Sequence, residues 1–206
     1  MKKVVYIASI LILTLSLCLS SCIDTRYIYS FKLLGEHAKT DKSFEDGKIE
    51  AFFIVSDKQL DFTLKNLTTE PMKINWDEAS LIINGESKRI IHKGVNFINK
   101  GLPQAPTVIP GNSSIDDLVI PTENVLYKKG SYYTYYSNNT FYSNPGSWKV
   151  NDLLPSRDRN NEETKKIIMN SKGSTLKFFL PIEQNNQKMN YTFEFLIADI
   201  TPVVNE

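Results

Sequence analysis

Few side chains in this sequence suit catalysis, and their spacing narrows the options further. The 206 residues include two histidines, His37 and His92, and two cysteines, Cys18 and Cys22. A metal centre built on either histidine needs carboxylates to complete its ligand set. Asp77-Glu78 and Asp116-Asp117 are available, but no spacing ties them to an imidazole, so no metal site is assigned. His92 reads as a residue flanking a strand and His37 as a loop residue. A Ser–His–Asp triad would have to use one of the same two histidines, and no Gly-x-Ser-x-Gly turn is present. Paired carboxylates for glycoside hydrolysis could come from any of 23 acidic residues, and nothing singles out a pair. The expectation is therefore a non-enzymatic chain with no catalytic residue and no cofactor.

The feature with the most binding chemistry is aromatic: Tyr132, Tyr133, Tyr135, Tyr136, Phe141, Tyr142 and Trp148. Flat aromatic faces stack on sugars and on partner side chains, and Tyr and Trp are enriched at interfaces. Asn138 and Asn139 would add polar contacts. The same run also fits a hairpin whose rings pack on the body, or a loop resting at lipid headgroups. Trp76-Asp77 matches the dipeptide of propeller blades but stands alone, so it reads as a core tryptophan. Three Asn-x-Thr triplets, at Asn66, Asn138 and Asn190, are read as chance matches in an Asn-rich chain.

The cysteines lie in a leader. Met1-Lys2-Lys3 is basic, and Val4 to Leu19 is apolar apart from Ser9, Thr14 and Ser16. Such a pattern enters a bilayer with its positive end held back. Leu19-Ser20-Ser21-Cys22 then resembles the lipobox of bacterial lipoproteins: an aliphatic residue, small residues and a cysteine. The resemblance implies a diacylglyceryl thioether on Cys22, cleavage between Ser21 and Cys22, and often a further acyl chain such as palmitate on the new amino group. A thiolate is the nucleophile that such a transfer needs. Two or three long chains hold a protein to a membrane where one is marginal, since each buried methylene contributes about 0.8 kcal/mol. The expected setting is the bacterial cell envelope, with inner and outer membrane left open. The competing reading, a transmembrane helix, has a run near the lower limit of about 17–25 residues, followed at once by Asp24 and Arg26.

Cleavage before Cys22 removes 21 residues and leaves 185, enough for one domain with a real core. Loss of Lys2 and Lys3 leaves 22 basic against 23 acidic residues. With no basic cluster along the sequence, nucleic acid is not an expected partner. Cys22 would be the one remaining cysteine, so no intrachain disulfide is available and the core must supply stability.

The elements read mostly as short strands. Leu60, Phe62 and Leu64 alternate with Asp61, Thr63 and Lys65, and Met72, Ile74 and Trp76 alternate with Lys73 and Asn75. A turn-like Asn66–Pro71 lies between them, so these two segments are expected to pair. Further strands are read at 27–34, 49–56, 79–84, 87–92 and 115–120. Residues 174–199 read as a terminal hairpin around a polar turn at Gln184–Lys188. Short connections between consecutive strands require antiparallel pairing. Residues 127–173 stand apart as an aromatic-rich insertion ending in a short helix at 161–170. Asn160 or Asn161 would cap it, Glu162 and Glu163 suit its first turn, and Gly173 follows its end.

The order of features from Ile49 to Ile200 resembles bacterial envelope lipoproteins with an immunoglobulin-like sandwich. Leu64-Lys65-Asn66, Ile74-Asn75-Trp76-Asp77, Ile91-His92-Lys93-Gly94, Val108-Ile109-Pro110-Gly111, Asp117-Leu118-Val119-Ile120-Pro121 and the final aromatic hairpin carry it. The resemblance implies an all-β, antiparallel immunoglobulin-like β-sandwich and an envelope setting, and no activity. The domain plan is then a signal peptide at 1–21, a lipidated tether at 22–26, and one sandwich over 27–206 with its insertion at about 127–173. The expected role is a binding or assembly module held to the membrane through Cys22. Its partner would be an envelope protein, or alternatively a glycan bound by Tyr132, Tyr133, Tyr135, Tyr136, Tyr142 and Trp148.

Overall fold

The computed structural model describes residues 25–134 and 141–204, with backbone alone over 132–134, 141–143 and at 204. The leader, Cys22, Tyr135 and Tyr136 lie outside the described residues. Period-two alternation dominates the rest. In the segment Leu60–Asn66, residues 60, 62, 64 and 66 are buried, while Asp61, Thr63 and Lys65 lie toward solvent. One face of each such strand must be covered by another element, and that requirement builds the sheet.

Eleven strands form that sheet, and every pairing in it is antiparallel. They are β1 (Thr25–Leu34), β2 (Ser43–Glu45), β3 (Ile49–Val55), β4 (Leu60–Asn66), β5 (Met72–Ile74), β6 (Ser80–Ile83), β7 (Glu86–His92), β8 (Thr107–Ile109) and β9 (Ser114–Pro121), with β14 (Thr175–Gln184) and β15 (Gln187–Val204) from the chain's end. The main path runs β1-β15-β14-β6-β7-β9-β4-β3-β2, and β5 and β8 continue alongside β14. The fold is thus all-β. The expected terminal hairpin is β14–β15, in register from Thr175↔Leu196 to Gln184↔Gln187. Asn185 and Asn186 both take positive φ at its turn, as do Asn84 and Gly85 between β6 and β7. Two-residue hairpins with the strands' natural twist require that backbone, and Asn and Gly adopt it at least cost.

The sheet curls on itself. The first half of β7 pairs with β6, and its second half, Ile90–His92, pairs with β9. Rings from strands that share no ladder therefore meet inside. Phe53 on β3 lies 4.6 Å from Phe193 and 5.2 Å from Phe195, and Phe62 on β4 lies 5.5 Å from Phe178. At the open side, the Leu33 N–H donates to the Asp41 carbonyl and the Phe53 N–H to the Lys42 carbonyl, each at 2.8 Å. Residues 41–42 thereby bridge β1 and β3 and bring the curl close to closure.

The expected pairing of the 60–64 and 72–76 segments does not occur. β4 lies between β3 and β9, whereas β5 lies between β14 and β8. Asn66 sends the chain across. It is fully buried, and its Nδ2 donates to the carbonyls of Glu70, Ile109 and Pro110 at 2.7, 3.3 and 3.2 Å. Its Oδ1 accepts from the Thr68 N–H and hydroxyl. A side chain bonded this way organises a crossover rather than a hairpin turn. It is also no glycan acceptor, because its amide is enclosed.

The chain between β9 and β14 builds three further pieces. β10 (Val125–Lys128), β11 (Ser131–Thr134), β12 (Phe141–Asn144) and β13 (Ser147–Val150) pair as two ribbons, β10–β13 and β11–β12, separate from the large sheet. Residues 151–161 form a strap along the edge of β1. The Tyr27 N–H donates to the Ser156 carbonyl at 2.8 Å, and the Asp158 N–H to the Thr25 carbonyl at 3.3 Å. Helix α1 (Glu162–Asn170) follows, with Asn161 Oδ1 accepting the Thr164 N–H at 3.0 Å as its cap and Ile168 buried. The sequence left Asn160 and Asn161 both open as caps. Asn160 instead takes φ 56° in the turn before the helix.

Candidate functional site

The two ribbons form an arm rooted in a small core of its own. Ile91, Ile120 and Val125 are buried there, with Val95, Phe97, Leu118 and Val150 packed against them. Two polar clamps fix the root. The Asn151 N–H donates to the Asn124 carbonyl at 2.8 Å, and Asn124 Nδ2 donates to the Asp152 carbonyl at 2.9 Å. Lys100 Nζ reaches the carbonyls of Thr122 and Val125. Lys88 binds Glu123 just before the arm, and that hydrogen bond is the main reason the lysine's pKa is raised.

Above the root the apolar face runs out into solvent. Val125↔Val150 is the innermost cross-strand pair and Tyr127↔Trp148, two residues further out on the same face, is the next. The Tyr127 and Trp148 rings are 5.2 Å apart and tilted at 57°, with Phe97 6.0 Å from the indole. Tyr127 remains 54 % exposed and Trp148 39 %. Cross-strand aromatic pairs contribute roughly 0.2–1 kcal/mol to a ribbon, yet these rings keep open edges that a partner could cover.

Glycine joins the two ribbons. A Cβ on Gly130 would sit 2.5 Å from the Asn144 carbonyl oxygen, and one on Gly146 would sit 2.0 Å from the Tyr127 hydroxyl. The strands therefore approach closely at this waist, and Tyr127 lies across Gly146. Beyond it, Tyr133 pairs with Tyr142, Tyr132 with Ser143 and Thr134 with Phe141. The structure thus places Tyr132, Tyr133 and Tyr142 on one ribbon and Trp148 on the other. Tyr127 and Phe97, which complete the exposed aromatic group, were missed in the sequence. Tyr127 could have been found as the cross-strand neighbour of Trp148 once a hairpin was drawn. Phe97 comes from a distant loop and carried no signal.

The remaining polar candidates have structural partners. His92 stacks on the buried Trp76 at 4.2 Å and 7°, and its Nδ1 lies 3.2 Å from Asp117 Oδ2. Asp117 also accepts the N–H groups of Lys93 and Leu118. No serine hydroxyl bonds this pair among the described residues. Trp76 is fully buried and donates its indole N–H to Thr107 Oγ1 at 2.8 Å. Asp77 accepts from Arg89 at 3.0 Å and from the Gln104 N–H, Glu78 binds Asn75 and Lys188, and Asp116 accepts the Thr63 hydroxyl at 2.6 Å. His37 meets the Phe44 ring edge-on at 5.7 Å. Among the described residues no group of three or more His, Cys, Asp and Glu is placed to hold a metal, and no helix is long and apolar enough to cross a membrane.

No protein-family model matches this chain, and neither a curated protein nor a solved structure matches it.

Proposed function

We propose that this protein is a bacterial envelope lipoprotein, anchored by lipid on Cys22, that binds an envelope partner through its aromatic arm without performing catalysis. The observation that carries the binding role is the exposed Tyr127–Trp148 pair on an arm whose strands pair only with one another. Rings left open on a rooted ribbon offer contact area at little entropic cost, because the root already fixes them. Anchoring is supported by the basic start, the apolar run and Leu19-Ser20-Ser21-Cys22.

For the body we infer an immunoglobulin-like sandwich. The change of partner within β7 supports it, since a strand that switches layers makes the corner between two packed sheets. The inward Phe53, Phe62, Phe178 and Phe193 would be the filling of that sandwich.

The test is a pull-down from native membranes, after intact mass has established acylation of Cys22. The intact protein is compared with a variant in which Asn-Gly replaces residues 129–146, and with Tyr127→Ala/Trp148→Ala. A partner lost in both variants makes the arm the contact. An identical partner set in all three removes the arm from the binding role. Retained protein partners with lost binding to a glycan panel would favour the carbohydrate-binding alternative.

A further inference from the structure

We infer that the gap left in the curl between β1 and β3 is a docking lane for the extended C-terminal segment of a partner protein, which lies there as an added strand. The lane shares no residue with the aromatic arm, and its occupation does not depend on lipid at Cys22. Its width is that of one strand. Residues 41–42 fill one end, where the Leu33 N–H donates to the Asp41 carbonyl and the Phe53 N–H to the Lys42 carbonyl. Successive carbonyls thus reach opposite walls, as they do in a strand, so the walls stand two strand spacings apart, about 9–10 Å. The strap fills the other end. There the Tyr27 N–H donates to the Ser156 carbonyl at 2.8 Å and the Leu153 N–H to the Asp57 carbonyl at 2.7 Å.

Between these two plugs the walls are unpaired. Tyr27 and Leu33 turn their N–H groups to the gap, so alternation along β1 turns those of Tyr29 and Phe31 the same way. Phe53 faces the gap from β3, and so does Val55. Among the described residues no backbone group accepts from the N–H of Tyr29, Phe31 or Val55 on this side. The space they border is a depression of about 270 Å³, with the buried Phe53 and Phe195 at its floor and the exposed Ser30 and Ile54 at its rim. An open strand edge pairs with any passing strand. Two edges facing each other at twice the strand spacing accept a single strand and no broader sheet. Extended backbone is the ligand that offers donors and acceptors to both walls, while its alternate side chains meet the apolar floor and the rim.

Closure at both ends selects the kind of segment. A strand cannot continue through either plug, whereas a chain end needs only one way out. Charge selects which chain end. Lys42 is exposed and borders the depression beside its plug, and among the described residues it forms no ion pair. Asp41 next to it is already paired with Lys32 at 3.6 Å. A terminal carboxylate arriving there meets an ammonium group, and a terminal amine would meet a like charge.

The experiment uses the full protein in detergent micelles. Its probes are octapeptides with free carboxylates, selected from a random display library against the parent in the presence of excess Val55→Pro, which lacks one donor of the lane. Before peptide is added, the amides of Tyr29, Phe31 and Val55 are expected to exchange about a hundredfold faster than those of Ile28 and Lys32, which belong to the β1–β15 ladder. A selected peptide is expected to slow the three by about tenfold and to leave residues 114–119 unchanged. N-methylation of alternate peptide amides, which leaves the protein's own fold untouched, is expected to abolish binding. Amidation of the peptide's carboxylate, or Lys42→Glu, is expected to weaken it about fivefold. Slow exchange of the three amides in the free protein, a selection that yields no peptide, or binding that survives N-methylation overturns the lane. Equal affinity for the amidated peptide overturns the chain end. Protection that grows with protein concentration, with no peptide present, assigns the lane to a second copy of this chain and overturns the partner.

Discussion

Asn66 shows how much one polar side chain can decide. It makes five hydrogen bonds from a fully buried position, and removing the amide would leave several backbone groups without partners. Asn66→Ala is expected to cost about 2–4 kcal/mol in chemical denaturation, among the larger single-residue losses. The sequence showed Asn66 only as a turn former, because propensity is local and its acceptors at 109 and 110 are distant in the chain. Asp158 makes a second residue-scale case. The Asn160 N–H, followed by the Tyr27 hydroxyl and the Thr25 N–H, holds its pKa below the ordinary carboxylate value, against the opposing effect of burial. A lowered pKa means that the unfolded chain takes up its proton first. The stability Asp158 provides is therefore full above about pH 4 and lost as pH falls through the folded value. The Tyr27 phenol is shifted the opposite way, upward, by burial and then by Asp158, so its contribution is full below pH 10 and lost above it. Thermal melts across pH are expected to show an acid limb that is shallower in Asp158→Asn than in the parent.

The arm is a unit at the scale of elements, and its waist tests it. Gly146→Val drives a side chain into Tyr127 and is expected to separate the Tyr127 and Trp148 rings while leaving the large sheet intact. Tryptophan fluorescence reads this directly. Trp148 is half exposed and Trp76 fully enclosed, so acrylamide should quench the parent strongly and Trp148→Phe hardly at all. In Gly146→Val the quenching of Trp148 should rise. Most elements were legible beforehand because period-two alternation is strong in β4, β14 and β15, and because Asn161, Glu162 and Glu163 mark a helix start. β2 and β8 are three residues each and too short to show a period, whereas β5 showed one because Trp76 carries its alternation past the strand's end. The insertion read as aromatic-rich but without a fold, since its register depends on Gly130 and Gly146 approaching closely.

For the molecule as a whole, stability rests on rings that meet across the curl. Phe53 touches Phe62, Phe193 and Phe195, and so joins β3 and β4 to the terminal hairpin. Phe53→Ala is expected to cost about 3–5 kcal/mol by denaturant titration, with one cooperative transition retained. The alternation in the sequence pointed Phe62, Phe193 and Phe195 inward, but Phe53 lies in the unbroken apolar run 52–55 and only its strand was read. Which strands they would meet was not legible, because that depends on the partner change inside β7. The register of β1 with β15 has a practical outcome. Thr25 lies opposite Val204, so the two ends of the fold leave from one place. The Asn185-Asn186 turn is at the far end of β15, whose 18 residues span up to about 60 Å if straight. For a chain held at Cys22, a fluorophore attached after Val204 would sit close to the bilayer, and one inserted at the turn would stand well away from it. That pair of labels makes the hairpin a built-in ruler for the protein's height and tilt on a membrane.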